Sequence, residues 1–543
     1  MRKIIFLFLT VVVIGSMLLI GCGEKTTTTT STTVKPTTTA ATTPKPTTSA
    51  TVAPKRGGTL RVIGAMGISN LSWVAKQNMT DETQAKAFAE TLVYYAGTGD
   101  FLPELAKSWD IDTTAKTLTF HLQQGVKFHD GTAFNAEAVR WNVQNLIDAK
   151  RLANGQYVDS IEVVDEYTFR YHLNAMVTPS IMLHSFGYNL QTMFSPTAFE
   201  VAGGANGGGI EWMTNNFCST SAFKFGGWTQ DVTLKLVRND DYWRGKEFPY
   251  LDAIEYTYSA DPTISKAKIE AGEADVWGGL PLKEATDLEK AGFKLVTGVG
   301  GFYSDLIPDN VSEGSVWKDK NVREALEYAI DREALAAGLG YGKLKAVTQC
   351  GGPPTSQGYN KDFKVRAYNV QKAKELLAAA GFSSGFKTTM LVMQGGSQDM
   401  ATAIQANLAE VGITVTIDIA DPGRFIGAIF GGGWNGGLLA FSVPVDPEFA
   451  IGWFVHFGPQ PIFPYPSLKW PDEYRALVEK VRLAPTVEAM RAATKDMMTL
   501  VSEGAYIIPL IDTLNIAITK KNVHTQIYQE HFMTWHNYMD WIE

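Results

Sequence analysis

The sequence predicts an α/β fold divided into more than one domain. The chain has 543 residues, long enough for two or three domains with cores of their own. A strand over 388–393, a helix over 400–411 and a strand over 413–419 follow one another, and this alternation indicates an α/β lobe. Aromatic residues make up 11% of the chain, with 13 tryptophans, which exceeds the needs of an ordinary core and favours a binding cleft.

The N-terminus has the pattern of an export signal. A basic start is followed by an apolar run over 4–20 that is short for a membrane-spanning helix and ends at Cys22. This pattern predicts a lipoprotein signal peptide over 1–22, with Cys22 as the acylated N-terminus of the mature protein; a plain transmembrane anchor is the alternative. Residues 23–56 are rich in Thr and Pro and predict a disordered linker.

Charge, cysteines and histidines exclude several classes of function. The net charge of -8, without a dense Lys/Arg block, argues against a nucleic-acid partner. Cys218 and Cys350 are compatible either with a disulfide in an exported protein or with two thiols in a core. The 8 histidines show no H-E-x-x-H spacing, and no C-x-x-C pair occurs, so we expect neither a dedicated metal site nor a cofactor.

The stretch 118–143 predicts a hairpin that leads into a helix. Residues 118–122 alternate as a half-buried strand does, and 126–128 predict a second short strand. His129 and Asp130 begin a tight turn, which we interpret as structural and not as a catalytic pair. Asn135 is a good N-cap for the helix that follows.

The remaining pattern alternates strands and helices along the chain. Further predicted elements are strands over 57–63, 233–243, 250–256 and 503–510, a hairpin over 161–173 that turns at Asp165 and Glu166, and helices over 82–95, 264–271, 320–333 and 368–381.

Several of these segments also carry a recognisable family pattern. They are LPELAKSW over 102–109, the whole stretch 118–143, RNDDYW over 238–243, GEADV over 272–276 and KNVREALEYAIDRE over 320–333. In this order they resemble the extracellular solute-binding proteins, family 5, which serve ABC importers of oligopeptides, dipeptides and nickel. In the segment 218–223 only Thr220 and Phe223 keep the family's pattern.

The resemblance implies a two-lobe periplasmic-binding-protein-like fold of type II, with an extra inserted subdomain and a hinge between the lobes. The implied division is lobe I over 57–99, 217–315 and 500–543, the inserted subdomain over 100–216, and lobe II over 316–499. The implied function is a non-enzymatic lipoprotein that captures a peptide-like or other small solute and delivers it to an ABC permease. A receptor for nickel or another metal chelate is the alternative within the family.

A solute between two lobes would contact aromatic and small polar side chains. The candidates are Trp73, Tyr95, Phe223 and Trp277 from lobe I, Tyr303 from the hinge, and Trp434, Asn435 and Ser442 from lobe II. Each could equally serve an ordinary core. Oligopeptide-binding members carry an aspartate that pairs with the peptide's α-ammonium, and the matching position here falls near Val443.

A secreted hydrolase is the rival class. Residues 381–385 match the nucleophile pattern G-x-S-x-G, but that pattern needs a strand before the serine and a helix after it. Here a helix is predicted before and a strand after, so no catalytic residue is expected. The expected location is the cell envelope, either lipid-anchored to the outer face of the cytoplasmic membrane or periplasmic, and the expected state is a monomer.

Overall fold

The computed structural model describes residues 53–64, 66–72, 84–96, 101–188, 191–298, 302–354, 356, 358–394, 398–444, 467–528 and 535–543. Residues 54–543 form one compact unit. The predicted signal peptide with Cys22, and the predicted linker up to residue 52, lie outside the described residues. Within the described ranges, none of the helices combines the length and apolarity needed to cross a membrane.

The strands are named in chain order. They are β1 Thr59–Gly64, β2 Val93–Tyr95, β3 Phe101–Pro103, β4 Ala106–Asp112, β5 Thr117–Leu122, β6 Val158–Asp165, β7 Thr168–Leu173, β8 Phe223–Thr229, β9 Thr233–Arg238, β10 Ala253–Tyr258, β11 Val276–Gly278, β12 Lys294–Thr297, β13 Phe302–Pro308, β14 Phe386–Met393, β15 Ile413–Ala420, β16 Leu438–Pro444, β17 Ile508–Asp512, β18 Ile516–Thr519, β19 Val523–His524 and β20 Trp541–Ile542.

The helices are named in the same way. They are α1 Ala136–Asp148, α2 Pro179–Leu183, α3 Pro196–Val201, α4 Gly204–Gly207, α5 Gly209–Asn215, α6 Pro262–Glu270, α7 Leu282–Lys290, α8 Lys320–Ala329, α9 Arg332–Gly340, α10 Val370–Ala379, α11 Gln398–Glu410, α12 Pro422–Gly427, α13 Asp472–Arg482 and α14 Val487–Glu503. Short 3-10 turns occur at Gly155–Tyr157, Val316–Lys318 and Asn537–Met539, and π turns at His184–Tyr188 and Ala428–Gly432.

The first large sheet has seven strands in the order β12-β18-β11-β1-β10-β9-β8. β1 runs parallel to β10 and β11, whereas β9 and β18 run antiparallel to their neighbours. On one face, Ile63 and Trp277 pack in a cluster with Ile269 of α6 and Leu288 of α7. The sheet is therefore covered by helices on that face, as the α/β prediction requires.

The second large sheet has five strands in the order β15-β14-β16-β13-β17. β14 is parallel to β15 and β16, and β13 is antiparallel to β16 and β17. Leu306 and Met390 pack with Leu326 of α8, Leu377 of α10 and Ile404 of α11. The predicted strand–helix–strand unit is confirmed as β14, α11 and β15.

A third sheet contains β5, the first strand of the stretch 118–143, which pairs with β4 and β7 and not with residues 126–128. It is an antiparallel sheet in the order β4-β5-β7-β6, within the predicted inserted subdomain. The predicted turn at Asp165 and Glu166 joins β6 to β7. Helix α1 begins where the sequence predicts, because the Asn135 side chain accepts a hydrogen bond from the Ala138 amide.

The chain passes from the first large sheet to the second between β12 and β13, and returns between β17 and β18. The two crossings lie side by side. The Thr513 amide donates to the Phe302 carbonyl at 3.0 Å, and the Gly298 amide donates to the Asn515 carbonyl at 2.7 Å. In the described part of the chain these two short segments lead from one sheet to the other, and we identify them with the predicted hinge.

Two local predictions are wrong. The helix predicted over 82–95 is absent from its C-terminal part, because Val93 to Tyr95 form β2 and pair with β3. Long-range pairing has overridden the helical spacing of apolar residues. The strand predicted over 126–128 contributes only one isolated bridge, between Lys127 and Ala133, because the tight turn at His129 closes too soon for a ladder.

Two further predictions are corrected by the chain's course. The helix predicted over 320–333 stops at Ala329, and Asp331 begins the next helix by accepting from the Ala334 amide. The strands β13 and β17 belong to the five-stranded sheet, although their residues were assigned to lobe I. The chain returns to the first sheet with β18, four residues beyond β17. The rest of the division into lobes stays a prediction.

Candidate functional site

Tyr303 and Ser442 lie on neighbouring strands at the hinge end of the five-stranded sheet. Ser442 pairs with Ser304, and Tyr303 pairs with Val443 on one side and Asp512 on the other. Tyr303 is buried and Ser442 is half-buried. The backbones of these two predicted site residues are therefore adjacent beside the crossing between the sheets, but their side chains lie on opposite faces, because Ser442 is paired with Ser304 and not with Tyr303.

Trp434 and Asn435 precede β16 and lie at its opposite end. Asp309, which follows β13, accepts a hydrogen bond from the Gly436 amide at 2.7 Å, so this loop is attached to the far end of the β13–β16 pair. A strand advances about 3.3 Å per residue, which places the start of β16 roughly 13 Å from Ser442. Trp434 is buried and Asn435 is exposed. The structure does not bring their backbone to the hinge end of the sheet.

Tyr95 lies in an aromatic cluster at the end of β2. Its ring centroid is 5.0 Å from that of Phe101, 6.2 Å from His184 and 5.9 Å from Tyr188. Only 1% of Tyr95 is exposed, so the ring is a core side chain in this conformation. Trp73 lies outside the described residues.

Phe223 and Trp277 are both buried in the seven-stranded sheet. Phe223 begins β8, and its carbonyl accepts a hydrogen bond from Ser221 Oγ at 3.0 Å. Trp277 lies in β11, near the middle of the seven-stranded sheet, and packs with Ile63 and Leu288. Contact of either aromatic ring with a solute stays a prediction.

Glu90 joins two of the segments that carry the family pattern. Its carboxylate accepts hydrogen bonds from Thr220 Oγ1 at 2.7 Å, from Tyr242 OH at 2.7 Å and from Trp243 Nε1 at 2.9 Å. Arg244 Nε lies 4.0 Å from the same carboxylate. Thr220 comes from the segment 218–223, while Tyr242 and Trp243 come from the segment 238–243. One buried carboxylate thus fixes both segments against β2.

Desolvation controls the charge of this carboxylate. Burial, with the neighbouring Glu104 carboxylate, raises the pKa of Glu90 to about 7. Arg244 and the donors Thr220 and Trp243 act in the opposite direction, because they stabilise the charged form. Glu90 is only 7% exposed, which explains why desolvation outweighs them.

A small cavity, open to solvent, lies beside Glu90. Its walls include Lys86, Glu104, Tyr188 and, from near the C-terminus, His536. Lys86 Nζ already lies 4.1 Å above the ring centroid of Tyr188. None of the predicted site residues that the structure describes lines this cavity, so it is separate from the hinge end of the five-stranded sheet.

His129 and Asp130 hold a structural turn, as predicted. The His129 amide donates to the Ser219 carbonyl, its ring Nε2 lies 2.9 Å from the Ser221 carbonyl, and its Nδ1 accepts from the Ser219 amide. Burial lowers the pKa of His129 to about 4, so the ring is neutral and one tautomer satisfies both contacts. Asp130 accepts from the amide and hydroxyl of Thr132, which closes the turn.

Cys218 and Cys350 are both buried free thiols. Burial raises the pKa of Cys218 to about 12 and raises that of Cys350 as well. The Cys350 amide donates to Ser502 Oγ of α14 at 2.9 Å. Of the two possibilities left open by the sequence, the structure has two core thiols.

Residues 100–456, more than half of the chain, match the bacterial extracellular solute-binding proteins, family 5 Middle. The chain belongs to this family. Family 5 proteins are extracellular solute-binding proteins, not enzymes, and the resemblance drawn from the sequence motifs is confirmed. The solute-binding role is thereby established at the level of the family.

Similar proteins have named solutes of different kinds. Over 362 residues the chain is 30% identical to the Glutathione-binding protein GsiB of Pectobacterium atrosepticum, covering 65% of this chain and 67% of that protein. Over 489 residues it is 26% identical to Di/tripeptide-binding protein 1 of Pseudomonas aeruginosa, covering 82% of this chain and 88% of that protein. A second glutathione-binding relative, from Shigella flexneri, is covered over 63% of its length.

Solved family 5 structures share the fold. The ABC transporter-associated periplasmic binding protein DppA from Helicobacter pylori, in complex with peptide STSA, superimposes with a TM-score of 0.77 at 24% identity, covering 90% of this chain and 99% of that one. NikA from Brucella suis, in complex with Fe(III)-EDTA, gives 0.76 at 21% identity, covering 90% and 100%. The predicted two-lobe, type II periplasmic-binding-protein fold is confirmed.

Glu90 was not identified as a functional candidate from the sequence. A signal was present, because this carboxylate interrupts the apolar run FAETLVYY over 88–95. A charged residue inside an apolar run is buried together with its neighbours. A buried charge needs hydrogen-bond or ion-pair partners. The partners lie 130 residues or more away in the chain, so the sequence could not name them.

Proposed function

We propose that the protein captures a solute between its two lobes, by closure about the hinge, and presents it to the permease of an ABC importer. The pair of antiparallel crossings between the large sheets carries this proposal. The two connections are short and lie side by side, an arrangement that allows one sheet to rotate against the other. Tyr303 and Ser442 lie beside these crossings, on opposite faces of the sheet, and each is a candidate contact for its own face.

We infer the class of solute from the residues at the end of β16 that holds Ser442. Relatives named for glutathione and for di- and tripeptides support a peptide-like solute. A buried α-ammonium needs a carboxylate partner, because an apolar neighbour leaves its desolvation uncompensated. The sequence position that would supply this partner is Val443, which pairs with Tyr303. We therefore propose a neutral or anionic solute, or a peptide held elsewhere than at its free N-terminus.

Calorimetry with a panel of solutes tests this class. We expect di- to pentapeptides to bind no more tightly than their N-acetylated forms, and small neutral or anionic solutes to bind more tightly. The Val443→Asp substitution should create a preference for the free N-terminus, roughly tenfold or more, because it supplies a charge-assisted partner. The matched control is Ile426→Asp, which adds a carboxylate at an exposed site of α12.

The outcomes separate three possibilities. Tight binding of free peptides by the unchanged protein, lost on N-acetylation, would contradict the proposed class. Binding of Fe(III)-EDTA or a nickel chelate in the same panel would favour the metal-chelate alternative. Turnover of a peptide or ester in place of binding would support the hydrolase.

Attachment to the membrane belongs to the same proposal. An acylated Cys22, followed by the Thr/Pro-rich linker, would hold a monomeric binding unit near the permease at the outer face of the cytoplasmic membrane. Metabolic labelling with a fatty acid should label the full chain and should fail on the Cys22→Ser variant. Equal labelling of the variant would show that the anchor lies elsewhere.

A further inference from the structure

A second contact between the two bodies lies on Thr178, immediately before α2. Thr178 Oγ1 lies 2.9 Å from the Val481 carbonyl and 3.1 Å from the Ala484 carbonyl. Its amide donates to the Arg482 carbonyl at 2.9 Å. The Val481 and Arg482 carbonyls lie in the last turn of helix α13, where carbonyls lack intrahelical partners, and the Ala484 carbonyl lies two residues beyond that helix. Thr178 therefore caps a helix that belongs to another part of the chain.

The contact extends to a small buried surface around this cap. Ser180 Oγ donates to Met490 Sδ of α14 at 3.2 Å. The Arg482 guanidinium lies 4.9 Å from the ring centroid of Tyr157 and hydrogen-bonds to its hydroxyl. Thr178 has no exposed surface, and Arg482 is only 5% exposed. We call these five residues, Tyr157, Thr178, Ser180, Arg482 and Met490, the latch.

The two sides of the latch are carried by different bodies. Tyr157, Thr178 and Ser180 belong to the segment with the four-stranded sheet. That segment is attached to the first lobe, because the His129 amide donates to the Ser219 carbonyl next to β8. Helices α13 and α14 lead directly into β17 of the five-stranded sheet. Rotation about the hinge therefore has to make or break the latch.

We propose that the latch stabilises the closed arrangement of the lobes without contacting the solute. Its hydrogen bonds and the contacts of the buried Met490 and the half-buried Tyr157 exist only when the two bodies meet. If the closed arrangement is more populated before binding, less free energy is spent on closure when a solute binds. The latch therefore lowers the dissociation constant of every solute by the same factor. Thr178 is thus a positioning residue, outside the group that determines specificity.

The proposal rests on capture by lobe closure, and its test needs no solute. Val201 and Ile419 are exposed and lie on opposite bodies. Spin labels attached to Val201→Cys and Ile419→Cys report the distance between the lobes by double electron–electron resonance. The full chain would carry Cys22→Ser, and the two native buried thiols would stay unlabelled. Denaturation and refolding by dialysis would remove any bound solute first.

We expect Thr178→Val to raise the ratio of long to short distances about fivefold, the usual effect of one hydrogen bond. The control is Thr402→Val, which removes a hydroxyl that bonds to Gln398 within a single helix. It should leave the distances unchanged. An unchanged distribution in Thr178→Val would overturn the latch, whichever solute the protein binds.

Hydrogen exchange on the protein without any latch substitution provides a second measurement, which covers the case that Thr178→Val fails to fold. The Thr178 amide should exchange through an opening that costs less than global unfolding, because the lobes separate before their cores melt. Amides of β5, in the core of the four-stranded sheet, should exchange only through global unfolding. Equal protection of Thr178 and β5 would mean a permanent contact, and would overturn the proposal.

Discussion

Single buried carboxylates hold together parts of this chain that are far apart in sequence. Glu90 collects three donors from two segments. Asp540 does the same near the C-terminus, where it accepts from the Thr525 hydroxyl, the Gln526 amide and Trp535 Nε1. Burial raises the pKa of Asp540 to about 7, as it does for Glu90. At both sites the carboxyl group loses its hydration on folding and gains a fixed set of hydrogen-bond donors.

The raised pKa of Glu90 predicts a pH-dependent stability. The folded chain keeps this proton up to about pH 7, whereas the unfolded chain releases it near 4.5, so the free energy of unfolding falls as pH rises across that window. The contribution of Glu90 is on the order of 3 kcal/mol, at about 1.4 kcal/mol per pKa unit. Glu90→Gln cannot titrate and should reduce the slope of this part of the profile by about half, because Asp540, whose pKa is also raised to about 7, supplies the remainder; urea unfolding at several pH values measures the slope.

The matched control is Glu137→Gln, which removes an exposed carboxylate paired with Arg140 on α1. It should keep the slope of the unchanged protein. A steep profile that persists in Glu90→Gln would assign the pH dependence to other groups, with Asp540 as the first to examine.

At the scale of elements, local signals decided where helices begin. Asn135 and Asp331 are both N-caps whose side chains accept from an amide three residues on. The second of these explains why the run over 320–333 is two helices. Tyr95 shows the opposite case. A helix is predicted there from the spacing of apolar residues, but the residue lies in strand β2, which pairs with β3. Caps act over three residues and are visible in sequence, whereas strand partners are not.

The crossing between β12 and β13 gives a testable case of close approach. A Cβ atom at Gly298 would lie 2.5 Å from the Tyr528 carbonyl oxygen, which is backbone and cannot rotate away. We expect Gly298→Ala to destabilise the protein by about 1–3 kcal/mol and to change the interlobe distances, because the hinge itself must shift. Urea unfolding and the spin-label distances measure the two effects.

The control is Gly338→Ala within α9, where an added Cβ meets nothing within 4 Å. That substitution should be neutral, or should stabilise the protein by up to about 1 kcal/mol. If Gly298→Ala behaved in the same way, the crossing would be looser than the structure indicates.

At the scale of the whole molecule, the two large sheets are joined by the hinge, share one apolar cluster that includes Val62 and Leu439, and meet again at the latch. The hinge permits rotation, and the latch and the solute contacts bias its outcome. Tyr303 and Ser442 lie next to the hinge, so a solute held there would act on the same equilibrium as Thr178. Loss of the latch should therefore weaken all solutes equally, whereas changes near Ser442 should alter their order of preference.

The sequence by itself determined the family, the α/β class, the structural turn at His129 and the helix start at Asn135. Each of these depends on residues that are neighbours in the chain, where spacing and side-chain chemistry act directly. Only the tertiary structure decided that β13 and β17 belong to the second sheet, that Tyr303 and Ser442 lie at one end of the β13–β16 pair while Trp434 lies at the other, and that Thr178 caps α13. These contacts join residues up to about 300 positions apart, and their energy exists only once the lobes have packed, so no local pattern records them.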